Sequence, residues 1–186
     1  MLTEVVENTG IGTVIDNVEF IHPTARIYHN CVIRDGVSIG AHSVVGHLVV
    51  IERDTKIGEH TTIQSQCHIT ADAEIGDYCF IAPCVSMGNE RIIANHGRCE
   101  KILIGPKIGK GVRIGANAYI AAGVTIGNNA FIHACSLVTK NVPAGEVWGN
   151  RCVIRMPRFL DMLLGKIFSI APRATKIGTV PMGEWL

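Results

Sequence analysis

Rings are scarce in this chain of 186 residues: only 5% are aromatic although 47% are hydrophobic. An interior filled almost without rings is a narrow one. Charge of neither sign prevails, because 17 Lys and Arg face 16 Asp and Glu for a net charge of +1. That balance gives no electrostatic footprint for nucleic acid or an anionic membrane. No stretch approaches 18 uninterrupted apolar residues, and no basic segment followed by an apolar run stands at the amino terminus. Neither membrane spanning nor secretion is indicated, and the cytoplasm is the expected location. Seven cysteines, an odd number without a CxxC pair, argue against a disulfide framework.

What the chain has in abundance is period. Ile15, Ile21, Ile27, Ile33, Ile39, Val45, Ile51, Ile57, Ile63, Ile69, Ile75 and Ile81 stand six apart, and Ile108, Ile114, Ile120, Ile126, Ile132 and Val138 resume the spacing. Four positions after each, from Ala25 to Val142, stands Ala, Cys, Val, Ser or Thr, with only Glu19 breaking the rule. A six-residue apolar period fits neither an amphipathic helix nor a lone alternating strand, but it fits short strands joined by tight corners. Gly40, Gly58 and Gly76 recur every 18 residues, as do Gly109 and Gly127, so three hexapeptides make one lap.

The expected object is a triangular prism whose laps stack at about 4.8 Å, with two inward columns, one of Ile and one of small residues. Six laps would stand on the order of 30 Å tall. Each buried Ile contributes roughly 1.5–3 kcal/mol, largely offset by chain entropy. Cys31, Cys67 and Cys79 fall in the small column, where cysteine is a compact apolar filler. Cys84, Cys99, Cys135 and Cys152 fall outside it.

The repeat breaks once. Gly76 to Gly109 spans 33 residues where one lap needs 18, so 15 extra residues leave the prism, placed at 87–101 and reading MGNERIIANHGRCEK. A polar excursion from a rigid scaffold is where chemistry is expected, although a loop that only packs on a neighbouring subunit would look the same. After Val142 the pattern changes. Phe159, Leu160, Leu163, Leu164 and Ile167 stand at helical spacing, which predicts a helix over 158–168 that covers an end of the prism or an adjacent subunit. The expected division is 1–150 for the coil with its loop and 151–186 for a carboxyl-terminal helix and tail.

From about Ile21 to Arg155 the chain resembles the hexapeptide-repeat acyltransferases. That resemblance implies an all-β left-handed parallel β-helix, a homotrimer with sites between subunits, and acetyl-CoA as co-substrate. Residues 56–90, KIGEHTTIQSQCHITADAEIGDYCFIAPCVSMGNE, resemble the branch that acetylates amines of nucleotide-linked sugars. There a similar turn ends in Phe-Thr-Asn-Asp; here Met87 and Gly88 depart, Asn89 matches and Glu90 is a close substitute. Residues 136–150, SLVTKNVPAGEVWGN, resemble the closing segment that receives coenzyme A, but Asn150, Arg151 and Cys152 stand where the family has Asn-Pro-Ala.

The implied function is transfer of an acetyl group from acetyl-CoA to the amine of a nucleotide-linked amino sugar. An amine attacking a thioester needs a free lone pair, a stabilised oxyanion and a proton acceptor. Asn89 would orient the amine, its amide being too weak a base to keep the proton. Glu90 and His96 can accept one, against the alternative of a solvated loop face. Gln64, His68 and Arg91 are candidates for the acceptor substrate. Ala116, Ala122, Gly123 and Ala134 suit close approach of the coenzyme or simply tight turning, and Thr139, Lys140, Asn150 and Arg151 complete the candidate coenzyme set.

Three other functions fit the same prism. An O-acetyltransferase would need a true base. A scaffold would use the loop for subunit contacts alone. A zinc hydratase like the gamma-class carbonic anhydrases would need three histidines. His29 and His47 stand one lap apart, as do His42 and His60, and His42 and His47 have the spacing of two such ligands. The third would fall near Val6, where no histidine stands, so no metal is expected.

Overall fold

The computed structural model describes residues 9–91 and 103–149, and every structural statement below concerns those residues. By internal contact the chain divides into Met1–Asn150 and Arg151–Leu186. The helix expected over 158–168 and the tail after it lie outside the described residues.

Two-residue strands follow one another around three parallel sheets. The first face runs from Val14–Ile15 to Leu137–Val138 in seven strands, the second from Phe20–Ile21 to Thr125–Ile126 in six, and the third from Arg26–Ile27 to Val147–Trp148 in seven. The result is the all-β parallel helical coil that the hexapeptide period demands, with about seven laps rather than six. The additional strands are Ser86–Met87 and Val147–Trp148, whose Met and Trp hide the repeat from a search for Ile and Val.

Register follows the 18-residue lap: Val32 pairs with Val50, and Ile33 with Ile51. Across the excursion the offset is 33, as in Glu74 with Lys107, Phe80 with Arg113 and Ser86 with Tyr119, and beyond it 18 returns, as in Lys107 with Thr125. The sheets thus close without slippage across the excursion. A one-residue slip would turn every Ile outward, which is why the register survives 15 extra residues.

Both inward columns are closed to solvent. Ile33, Ile39, Ile51, Ile63, Ile69 and Ile81 are 0% exposed, and so are Cys31, Ser43, Thr55 and Thr61 in the small column. The hydroxyls there are not stranded. Ser43 Oγ donates to the Gly58 carbonyl at 2.7 Å, Thr61 Oγ1 to that of Gly76 at 2.8 Å and Thr55 Oγ1 to that of Thr70 at 3.1 Å. Ser43 and Thr61 also accept from the amide one lap on, Thr61 N at 3.0 Å and Cys79 N at 3.1 Å. Small residues with one donor therefore satisfy the corner carbonyls that the strands leave unpaired. The thiols take the same place: Cys67 Sγ donates to the Ala82 carbonyl at 3.2 Å. Removal from water raises the Cys31 and Cys79 pKa values and takes that of Cys67 to about 11.

Corners turn through a left-handed residue three positions past the wall residue. Asn30, His42, Leu48, His60, Tyr78 and Cys135 are among the non-glycine residues with φ between 53° and 63° there. Stacking laps stack these corners. His42 and His60 lie with ring centroids 4.9 Å apart, His60 and Tyr78 likewise at 4.9 Å, and Lys110 Nζ sits 5.0 Å over the Tyr78 ring. His29 and His47 meet at 5.3 Å on another corner. The histidine pairs are thus rungs of corner ladders, and His42 and His47 stand on different corners.

Candidate functional site

The excursion leaves from the corner between the first and second faces. Met87 is not part of it: its side chain is 2% exposed within the strand Ser86–Met87. The chain departs after it, and Leu103 and Ile104 still belong to the excursion's returning limb. Glu90 bridges antiparallel to Leu103, and Ile104 N donates to the Asn89 carbonyl at 2.9 Å. A short antiparallel stem thereby fixes Asn89 and Glu90 against the coil.

Two glycines shape this corner. A side chain at Gly88 would collide with the Tyr119 hydroxyl, so the bare backbone lets that ring lie at the root of the stem. Gly123 has φ +68°, and its open side is covered by the Arg91 guanidinium and the Ile104 side chain. The two residues that depart from the resembling branch, Met87 and Gly88, therefore have definite roles: one fills the wall and the other makes room for Tyr119.

A cavity lies on each side of the stem. The lower, about 290 Å³, is lined by Glu52, Arg53, His68, Thr70, Ala71, Asn89, Glu90 and Leu103. The upper, about 470 Å³, is lined by Glu90, Arg91, Tyr119, Ala121, Ala122, Gly123, Val124, Thr139 and Asn141. Glu90 borders both. His68 Nε2 stands 3.7 Å from Glu52 Oε1 in the lower cavity, with both side chains partly exposed. In the upper cavity Asn141 Oδ1 accepts from Thr125 N at 2.9 Å, which holds the amide against the wall.

The structure thus brings together Asn89, Glu90 and His68 below the stem and Glu90, Arg91, Ala122, Gly123 and Thr139 above it. Lys140 follows Thr139 on the same corner. It does not bring Gln64, Ala116 or Ala134 there. Gln64 follows the third-face strand Thr62–Ile63, and Ala116 and Ala134 follow third-face strands as well, on the corner between the third and first faces. His96, Asn150 and Arg151 lie outside the described residues.

Glu52, Arg53, Thr70, Tyr119 and Asn141 escape the sequence reading. The signal for them is arithmetic: Glu52 stands 18 before Thr70, and Tyr119 stands 33 after Ser86, so counting laps through the excursion finds them. Among the described residues no group of three or more His, Cys, Asp or Glu is placed to hold a metal ion. Among them, too, no helix is long and apolar enough to cross a membrane.

The profile described as Bacterial transferase hexapeptide (six repeats) matches residues 54–89 and 105–140, its gap coinciding with the excursion. No curated protein matches the chain. Among solved structures, it is similar to a hexapeptide-repeat containing acetyltransferase of Vibrio cholerae O1 biovar eltor complexed with acetyl coenzyme A. The identity is 28% and the TM-score 0.55 over 61% of this chain and 66% of that one, just under two thirds of its length. The fold is shared with an N-acyltransferase from Bacillus cereus in complex with dTDP and coenzyme A, at 14% identity and TM-score 0.55, covering 85% of this chain and 91% of that one. It is also shared with a hexapeptide transferase family protein from Anaplasma phagocytophilum, at 19% identity and TM-score 0.53, covering 82% and 86%. The lap register, the two closed columns and the profile match agree that residues 54–89 and 105–140 are hexapeptide repeats of the kind that the bacterial transferase profile describes.

Proposed function

We propose that the chain is an acetyl-CoA-dependent acetyltransferase acting on the amine of a nucleotide-linked amino sugar. The observation that carries this reading is the pair of cavities meeting at Glu90 on the corner where the repeat breaks. A two-substrate transfer needs two chambers that share a boundary, and here one is rich in ionisable groups while the other has small walls and a guanidinium. The acetyl coenzyme A bound by the Vibrio cholerae relative and the dTDP and coenzyme A bound by the Bacillus cereus protein support the same pairing of substrates.

The residues of the upper cavity fit a thioester-bearing arm. Ala121 and Ala122 keep the corner walls small, Arg91 lying over Gly123 offers a planar cation, and Thr139 offers a hydroxyl. Bound there, the coenzyme would supply an activated acyl group. The chain would supply position: Asn89 orients the nucleophile, and both reactants held in line convert a bimolecular encounter into a near-unimolecular step. Lys140, and Asn150 and Arg151 beyond the described residues, are the candidates for the coenzyme's phosphates.

Ala116 and Ala134 stand at a different edge of the prism from Ala122 and Gly123. One coenzyme reaches both sets most directly where the edges of two chains meet, which favours the homotrimer with sites between subunits. Gln64, on that same remote edge, would then serve a neighbour's acceptor. The cytoplasm, where acetyl-CoA is made and used, is the proposed location.

The test is thiol release from acetyl-CoA with nucleotide-linked amino sugars and their hydroxyl analogues. Release with one or more amines and none with the matching hydroxyls supports the reading. Release with hydroxyl acceptors alone reverses the acceptor class, and failure to bind coenzyme A in calorimetry leaves the coil a scaffold.

A further inference from the structure

The lower cavity contains a pair that the resemblance does not assign. His68 is the outward residue of the strand His68–Ile69, and Glu52 follows the wall residue of the lap before it, on the same face. Their side chains meet with Nε2 and Oε1 3.7 Å apart, at the foot of the stem that carries Asn89 and Glu90. Both sit on rigid coil rather than on the excursion, so their separation is set by the lap spacing.

Resting on the acyl-transfer reading above, we infer that His68 is the proton acceptor for the incoming amine and that Glu52 is its positioning residue. A carboxylate facing Nε2 favours the tautomer with its proton on Nε2, which leaves the lone pair on Nδ1. Glu90, Arg53, Thr70 and Asn89 complete the chamber around this pair. Both Asn89 and Glu90 are on the stem, and Glu90 also borders the upper cavity, where the acyl group would be presented.

The step balances as follows. The primary amine enters as its ammonium form and gives one proton to His68 Nδ1, freeing the nitrogen lone pair. Nitrogen bonds to the thioester carbonyl carbon, the carbon–sulfur bond breaks, and sulfur leaves with the bonding pair. The second nitrogen proton goes to the departing sulfur to give the thiol, and His68 returns its proton to water. The products are an amide, a thiol and one released proton, and no oxidant or metal is required.

This arrangement adds a proton acceptor on the rigid coil to Glu90 and His96, the two that the excursion itself carries. An amide at Asn89 can hold an amine but cannot remove its proton, whereas an imidazole on the wall beneath it can. It also sets the imidazole on the coil apart from the orienting amide of Asn89 on the stem.

The experiment compares the full chain with H68A, H68Q and E52Q, using acetyl-CoA and glucosamine linked to uridine diphosphate, or whichever nucleotide-linked amino sugar the wild-type chain accepts. The expected result is a kcat loss of about 100-fold or more for H68Q with KM within a few-fold, a typical loss for a general base. Added imidazole should restore part of the H68A rate, and E52Q should lose about 10-fold in kcat while its thermal midpoint stays at the wild-type value, as befits an orienting partner. A readout independent of turnover accompanies these: the imidazole resonances of His68, assigned with H68Q, should shift when the amino sugar is added without acetyl-CoA, and should shift less in E52Q. Retention of the wild-type kcat by H68Q, a change in KM alone, loss without imidazole rescue, or His68 resonances indifferent to the amino sugar would each overturn the inference. A wild-type chain that acetylates no amine overturns the functional reading itself, and this inference falls with it, so the two failures are told apart.

Discussion

Cys67, 1% exposed, and its neighbours in the small column tie this coil's stability to pH. A thiol held at about 11 when folded and near 9.0 when unfolded is bound to its proton more tightly in the native state. Stability is therefore full below pH 9 and falls as pH rises toward 11, and Cys31 and Cys79 act in the same direction. The two units for Cys67 correspond to at most about 2–3 kcal/mol. Urea denaturation at pH 8 and at pH 10.5 should show the loss, and C67A should flatten it at the cost of a small void. Leu48 makes a second case at this scale. It holds φ +58° with its side chain half in water, so little packing opposes its replacement. A non-glycine residue there carries about 1–2 kcal/mol of steric cost, of which glycine's greater unfolded freedom returns about 0.5–1. L48G should raise the unfolding free energy in urea by a few tenths to about 1 kcal/mol; a loss of stability would show that Leu48 is held by contacts not visible in the single chain. Both columns were legible in the sequence because each residue repeats the demand of the one a lap away. The left-handed corner was not, since residues as different as Asn, His, Leu and Cys occupy it.

At the scale of strands and corners, the wall Ile residues carry the coil and the stem carries the site. I63A removes a fully buried side chain from mid-coil and should cost about 2–5 kcal/mol in denaturant unfolding. The half-buried Ile15 at the first lap should cost clearly less. G88V is the corresponding test of the corner: the new side chain must displace the Tyr119 ring, and thiol release should fall at least 10-fold with the coil still folded by circular dichroism. Unchanged release would remove Tyr119 and the root of the stem from the site. The excursion was visible in the sequence as 33 residues between glycines that should be 18 apart. Its start was placed one residue early because Met87 fills a wall position without being Ile or Val. Glu52 was missed for a related reason, as its partnership with His68 comes from stacking between laps and not from proximity along the chain.

For the whole molecule, the separation of the candidate coenzyme residues between two edges of the prism favours assembly. Three chains of 20.1 kDa give about 60 kDa, and sedimentation equilibrium should find that mass at micromolar concentration. A monomer with full activity would require the site to be complete on one corner, without Ala116 and Ala134. The prism itself could be argued from period alone, because only one architecture stacks hexapeptides three to a lap. The chemistry could not, because it depends on which side chains the excursion holds over which lap. Crystals grown with coenzyme A measure that relation directly. The account predicts the coenzyme's sulfur in the upper cavity, beside Gly123 and within reach of Glu90 across the stem; a sulfur resting on another corner, or on a face remote from the stem, would contradict it.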